Sequence, residues 1–215
     1  MTISKDSGWG GPGTISADDP VANNNRELRA LIEAWKLTDL PLERVGLLGG
    51  DLWRTCGSPP GGVERLLTEA LEVPIDIVEA RLVGFEPLDG PPVEGVHTTW
   101  FAAHMVLRRS WWFGPLLAAM NAEFYDTWDV GGRTHPNDGR VDVYDVSMRL
   151  SERWQAWKRL PSGQHEPHPR IEVRRVKQTS LEFERPLDVH LDGDEVGRAT
   201  GVELVVLPDA LTVVV

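Results

Sequence analysis

The spacing of apolar residues changes period once along this chain, near Pro74. Upstream, "NNNRELRALIEAWKLTDL" sets Leu28, Leu31, Ile32 and Trp35 at helical intervals behind an asparagine cap, with Pro41 just past the end, and predicts a helix. "ERVGLLGGDLWRTCG" reads as a short buried strand, a glycine turn and one helical turn, and "PPGGVERLLTEALEV" as a second helix between Pro60 and Pro74. Downstream, "PIDIVEARLVGFEPL", "VHTTWFAAHMVLRR", "GRVDVYDVSMRL", "RIEVRRVKQTSLEFE", "LDVHLDGDEVGR", "GVELVVLPDA" and "LTVVV" alternate or run apolar between turn residues and predict strands. Only "SERWQAWKRL" and the segment around Gly114 to Met120 have helical character. Residues 1–22 carry no apolar period and are expected to be disordered or loosely packed. The prediction is an α+β, mostly β protein: a small helical front end leading into an antiparallel sandwich or folded sheet.

Composition narrows the class. A length of 215 residues suits one sizeable core, and 41% hydrophobic with 26% charged residues is ordinary for a soluble domain. No apolar run approaches the roughly twenty residues that span a bilayer. "MTISKDSGWGGPGTISADDP" lacks the basic and apolar regions of a secretory signal, so a cytoplasmic protein with a mobile arm over residues 1–23 is expected. A net charge of −11 argues against a nucleic-acid partner. Arg108–Arg109, and Arg170 with Arg174, Arg175 and Lys177, read as solvated strand faces. The single cysteine, Cys56, excludes an internal disulfide and reads as a buried, inert thiol. Nine tryptophans are expected to fill the core. Trp111-Trp112-Phe113, read as strand, cannot all face one way; burial under a neighbouring element is the simpler reading, and an outward aromatic beside Arg108 and Arg109 would suit an amphipathic ligand or a partner.

Two constellations could carry chemistry. "LDVHLDGDEVGR" reads as a hairpin whose tip crowds Asp192, Asp194 and Glu195, either solvated turn acids or a cation site with a general base. His165 and His168 in "GQHEPHPRI" cannot share a helix face because Pro167 and Pro169 keep the segment extended; a zinc site would need His135 and Asp138 to converge on them. "GGRTHPNDGRVDV" reads locally as a tight turn feeding a strand. No Gly-x-Ser-x-Gly elbow, Cys-x-x-Cys pair, Walker loop or dinucleotide fingerprint is present.

Read together, four segments resemble the bacterial diacylglycerol kinase-like lipid kinases, relatives of sphingosine kinases and, in fold, of NAD kinases. "VGLLGGDLWRTCGSP" looks like a contracted Pro-Leu-Gly-Thr-x-Asn-Asp segment with the Leu-Ala-Arg-x-Leu-Gly-Ile-Pro that follows it. "VPIDIVEARLVG" is similar to the next strand. "MNAEFYDTWDVGGRTHPNDGRVDV" resembles the family's Thr-Asn-x-x-Tyr segment through its Asp-Asp-Gly, and "LDVHLDGDEVG" with "VELVVLPDALTVVV" resembles the closing Asp-Gly-Glu hairpin and last strand. The resemblance covers roughly residue 24 to the end. It implies a lipid-kinase C-terminal-type β-sandwich over residues 81–215, preceded over residues 24–80 by a remnant α/β element of the nucleotide-binding half. It places Asp194, with Glu195 beside it, where the family's base accepts the lipid hydroxyl's proton. Asp138 and Asp142 inherit a magnesium-linked role, and Asp51, Arg54, Asn121, Arg133, His135 and Asp192 a ligand-binding one. The family's Gly-Gly-Asp-Gly-Thr is replaced by "DPVANNN", and phosphoryl transfer depends on positioning the triphosphate. ATP is therefore not expected to bind. The resulting expectation is a non-catalytic module for a lipid-like or phosphorylated molecule or a partner protein, with apolar surface around Trp35, Trp53 and residues 111–113 available for a homodimer. The alternatives are a lipid kinase completed by another chain and a metal-dependent hydrolase using the histidines.

Overall fold

Period-two alternation after Pro74 becomes one continuous sheet in the computed structural model, which describes residues 9–38, 44–165 and 167–215. In chain order the elements are β1 (Gly11–Gly13), β2 (Val21–Ala22), α1 (Asn25–Thr38), β3 (Arg44–Leu47), α2 (Asp51–Thr55), α3 (Gly62–Thr68), β4 (Ala70–Val83), β5 (Glu86–Pro87), β6 (Val96–Phe101), β7 (His104–Arg108), β8 (Leu116–Met120), β9 (Phe124–Tyr125), β10 (Trp128–Asp129), β11 (Val141–Val146), α4 (Leu150–Arg159), β12 (Ile171–Val176), β13 (Gln178–Leu191) and β14 (Asp194–Val214). The main path of the sheet is β1-β4-β14-β13-β7-β8-β11-β12, with β6 beside β4 and β2–β3 joining the end of β14 in parallel. β9 and β10 form a separate ribbon.

The fold is α+β and mostly β. The sheet curls until its two ends share one core: Val78, Ala80 and Leu82 of β4 pack in the same cluster as Leu117 of β8 and Val141 and Val143 of β11. A second core lies under α1 and α2, where Leu28, Ile32 and Leu52 meet Val45, Leu47, Ile75, Ile77 and Val213. The two cores are threaded by the same two strands. β4 contributes Val73–Ile77 to one and Val78–Leu82 to the other, and β14 contributes Ala199–Val206 and Leu211–Val213 in the same way. Between these halves β14 shifts register at Leu207/Leu211, where Asp209 adopts φ 51°.

Several expectations change. Leu116–Met120 is strand, not helix, because its apolar run pairs on both sides, with β7 and with β11. Trp111–Phe113 lie in the bend between β7 and β8 and not in a strand. Trp35 and Trp53 are partly buried against the second core. Residues 11–13 and 21–22 are paired in the sheet, and Trp9 donates its Nε1–H to the Pro74 carbonyl at 3.0 Å, so this part of the arm is held. Residues 1–8 and the helix stop at Pro41 lie outside the described residues. Cys56 is half-buried, and desolvation pushes its thiol pKa up to about 12, in keeping with an inert thiol.

Candidate functional site

The Asp192-Gly193 turn is built as its sequence suggests, with φ of 50° and 95° linking β13 to β14. Its three acids then diverge. Asp192 turns inward, 4% exposed, and accepts the amide N–H groups of Ala102 (3.1 Å), Ala103 (2.8 Å) and His104 (3.1 Å), while its own N–H donates to the His104 carbonyl. Burial pushes the Asp192 carboxyl upward, opposed by His104 and the three amides. Glu195 stays exposed. Asp194 meets α1: Arg26 forms an ion pair with its Oδ1, and Arg29 Nη2 lies 3.0 Å from its Oδ2.

The first turns of α1 are occupied by the chain's own groups. The Glu27 carboxylate accepts the Asn23 backbone N–H (2.8 Å), Asn23 Nδ2 (2.8 Å) and Asn24 Nδ2 (3.0 Å), while the Glu27 amide donates to Asn24 Oδ1. This is a capping arrangement, and it holds Glu27 below the usual carboxylate range, first through the Asn23 amide. Asn25 reaches across to α2, donating to Asp51 Oδ2 at 2.9 Å and accepting the Leu52 N–H. Asp51 Oδ2 also lies 2.7 Å from Nε2 of the buried His104. Gly50, at φ 93°, is required here, since a Cβ would sit 2.3 Å from Asn25 Oδ1. Glu27 thus fastens the two asparagines ahead of α1, and Asp194 is already paired with Arg26 and Arg29.

The "GGRTHPNDGRVDV" loop is a structural clasp. Fully buried Asp76 accepts the Gly139 N–H (2.6 Å) and the Asp209 N–H (2.9 Å), and donates its own N–H to the Pro136 carbonyl. Asn137 Nδ2 donates to Asp209 Oδ1, and buried Asn121 donates to the carbonyls of Asp76 and Ala102. Asp142 accepts Thr134 Oγ1–H and is held by Arg175 Nε at 2.8 Å; Asp138 lies 3.6 Å from the same guanidinium and accepts the Arg140 N–H. Arg175 thus stands where a magnesium ion would have to sit, and this donor set does not fit one. Arg133 is exposed, and its carbonyl accepts from Arg175.

The histidines serve different places. His135 packs edge-on to Trp9 and accepts the Asn137 N–H, His168 accepts the Arg170 N–H, and His165 is buried. Among the described residues no three His, Cys, Asp or Glu side chains are placed to hold a metal ion. Arg54 lies over the Phe124 ring at 4.2 Å and bonds the Asp126 carbonyl, a loop-fastening role.

An aromatic-walled cavity of about 330 Å³ lies between β7, β8, β11 and α4. Trp111, Tyr125, Trp128 and Trp157 line it with Val106, Met120 and Tyr144, and His165 is one of its few polar side chains. Tyr125 connects the two halves of the site: its ring lies 4.6 Å from His104 and 5.8 Å from both Trp111 and Trp128. The traces of this wall in the sequence were the tryptophan count and the Trp111-Trp112-Phe113 run, two of whose rings line it. Nothing local announced that Asn25 and His104 would meet at Asp51, or Arg26 and Arg29 at Asp194.

A curled, mostly antiparallel sheet with an inward-turned Asp-Gly hairpin, faced by the N-terminal turn of α1 and bordered by an apolar cavity, defines an α+β protein with two cores. That architecture is the diacylglycerol kinase-like fold. Three solved structures from Bacillus anthracis strain Sterne, each called a diacylglycerol kinase and two of them only provisionally, match over 90% of this chain. They cover 76%, 75% and 74% of those proteins, with TM-scores of 0.62, 0.63 and 0.59 at 13%, 13% and 14% identity. At such identity the likeness is one of fold. No protein-family model matches the sequence, and no curated protein does.

Proposed function

We propose that this chain is a lipid-kinase-fold binding module that takes a lipid-like molecule into its aromatic cavity and does not by itself transfer phosphate from ATP. The observation that carries the reading is the cavity: about 330 Å³ of apolar, aromatic-lined space, reaching the Asp51–His104 pair through Tyr125. A pocket of this size suits one chain of an amphipathic ligand, with its polar end toward Tyr125. The ion-paired Asp194 supports the second half of the proposal, because a base must be free to take a proton. The kinase-like hairpin keeps one alternative in view: a lipid kinase in which another chain supplies the nucleotide half and displaces Arg26 and Arg29 from Asp194.

Thermal unfolding with a monoacylglycerol, dioctanoylglycerol, a lysophospholipid or ATP with magnesium separates these readings. A bound apolar ligand at 100 times its Kd adds about 2.7 kcal/mol, and so raises Tm by roughly 5–10 °C. The same ligand should fail to shift Ala118→Phe, which fills the cavity wall. A shift with ATP-magnesium and none with any apolar ligand would overturn the proposal.

A further inference from the structure

Helix α4 has two apolar faces, and only one of them is used by the cavity. Arg153, Ala156 and Trp157 look into it. On the outer side Leu150, Trp154 and Trp157, at i, i+4 and i+7, are 63%, 51% and 45% exposed, and Trp112 from the β7–β8 bend extends the patch, 38% exposed and edge-on to Trp157 at 6.1 Å. Exposed Arg149, Lys158 and Arg159 surround these rings, and Lys158 lies over Trp154 at 3.3 Å. The acid of the helix, Glu152, is taken up by the Arg149 amide and by Arg170 at 3.3 Å. A chain of net charge −11 thus concentrates cations and amphipathic aromatics on the helix that roofs its apolar cavity.

We infer that the outer face of α4 with Trp112 is a docking surface for an anionic lipid bilayer, on which Leu150, Trp154 and Trp157 enter the headgroup boundary while Lys158 and Arg159 meet anionic lipid. Tryptophan is suited to that boundary because its ring is apolar and its N–H remains hydrated. Basic residues flanking an apolar helical stripe give the electrostatic half of such binding. A second copy of the chain fits the patch poorly: apposing it to itself would set Lys158 and Arg159 against their own counterparts. The inference does not depend on what fills the cavity, although Trp112 and Trp157, common to both, would put the cavity mouth at the membrane.

Vesicle flotation of the full chain tests it with no ligand added. The protein is expected to float with phosphatidylglycerol vesicles, not with phosphatidylcholine vesicles, and to be released by high salt. Each basic residue near an anionic surface contributes about fivefold in affinity, so Lys158→Glu with Arg159→Glu should weaken binding by roughly 25-fold or more. Leu150→Ser with Trp154→Ser should also release the protein, and both pairs should unfold at the unaltered temperature because all four side chains are exposed. Arg140→Glu with Lys177→Glu, at the opposite end of the β11–β12 pair, should bind as the parent does. Failure to bind phosphatidylglycerol, equal loss in the Arg140/Lys177 variant, or a change in oligomeric mass without a change in flotation for the Leu150/Trp154 variant would each overturn the inference.

Discussion

Asp192 accepts three amide N–H groups with one carboxylate, so the cost of changing it is set by what those amides would lose. Asparagine keeps the shape but replaces one acceptor oxygen with a donor, which would point an N–H at the N–H of Ala102 or at those of Ala103 and His104. A buried, charge-assisted set broken in this way costs about 2–4 kcal/mol. For a domain of this size Asp192→Asn should lower Tm by roughly 5–15 °C, read by calorimetry; an unchanged Tm would mean the hairpin tip is fastened by something else. The sequence revealed the turn, because Asp-Gly is what a two-residue hairpin with positive φ needs. It did not reveal the role, because the partners of Asp192 stand as many as 90 positions earlier. Asp142 shows the same limit: its position in an alternating strand was legible, whereas Arg175 as its partner came only from the pairing of β11 with β12.

At the scale of elements, α4 was predicted by its helical interruption of the strand pattern, but what fixes it in place is one residue. Arg153, 6% exposed, donates from Nε to the Met148 carbonyl, from Nη1 to Ser110 and Trp111, and from Nη2 to Gly114 and Val146. Five carbonyls from the helix start, the β7–β8 bend and the end of β11 thereby share one guanidinium, whose pKa burial lowers. Lysine presents three donors from a single nitrogen and cannot span that set. Arg153→Lys should therefore destabilise the protein by about 2–3 kcal/mol and loosen the cavity wall, seen as a lower urea midpoint and altered emission from Trp111 and Trp157. Identical midpoints would show that α4 is held by its apolar face alone. The opposite error, Gly114–Met120 read as helix, has a related cause: "GPLLAAM" is a short run without alternation, and a strand buried on both faces gives no period to read.

At the scale of the whole molecule, the resemblance implied a division of the chain at residue 80, and β4 runs through it from Ala70 to Val83. β4 and β14 each place side chains in both cores, so neither core can lose these strands while the other keeps them. Two domains joined by a linker would unfold in two steps; two cores sharing their central strands should unfold in one. The β3–β14 pairing adds a further tie, since β3 belongs to the helical front end and Thr212–Val214 to the last strand. Urea titrations followed separately by Trp emission and by far-ultraviolet circular dichroism should give coincident transitions, and the calorimetric and van't Hoff enthalpies should agree. Truncation after Val83 should leave a fragment that does not fold, because the second core would lose Leu211 and Val213. Separated transitions, or a folded fragment of residues 1–83, would instead restore the front end as an independent unit. The meeting of α1 with the β13–β14 hairpin would then be a joint between two bodies, and the contacts of Arg26 and Arg29 with Asp194 would be free to open as that joint moves.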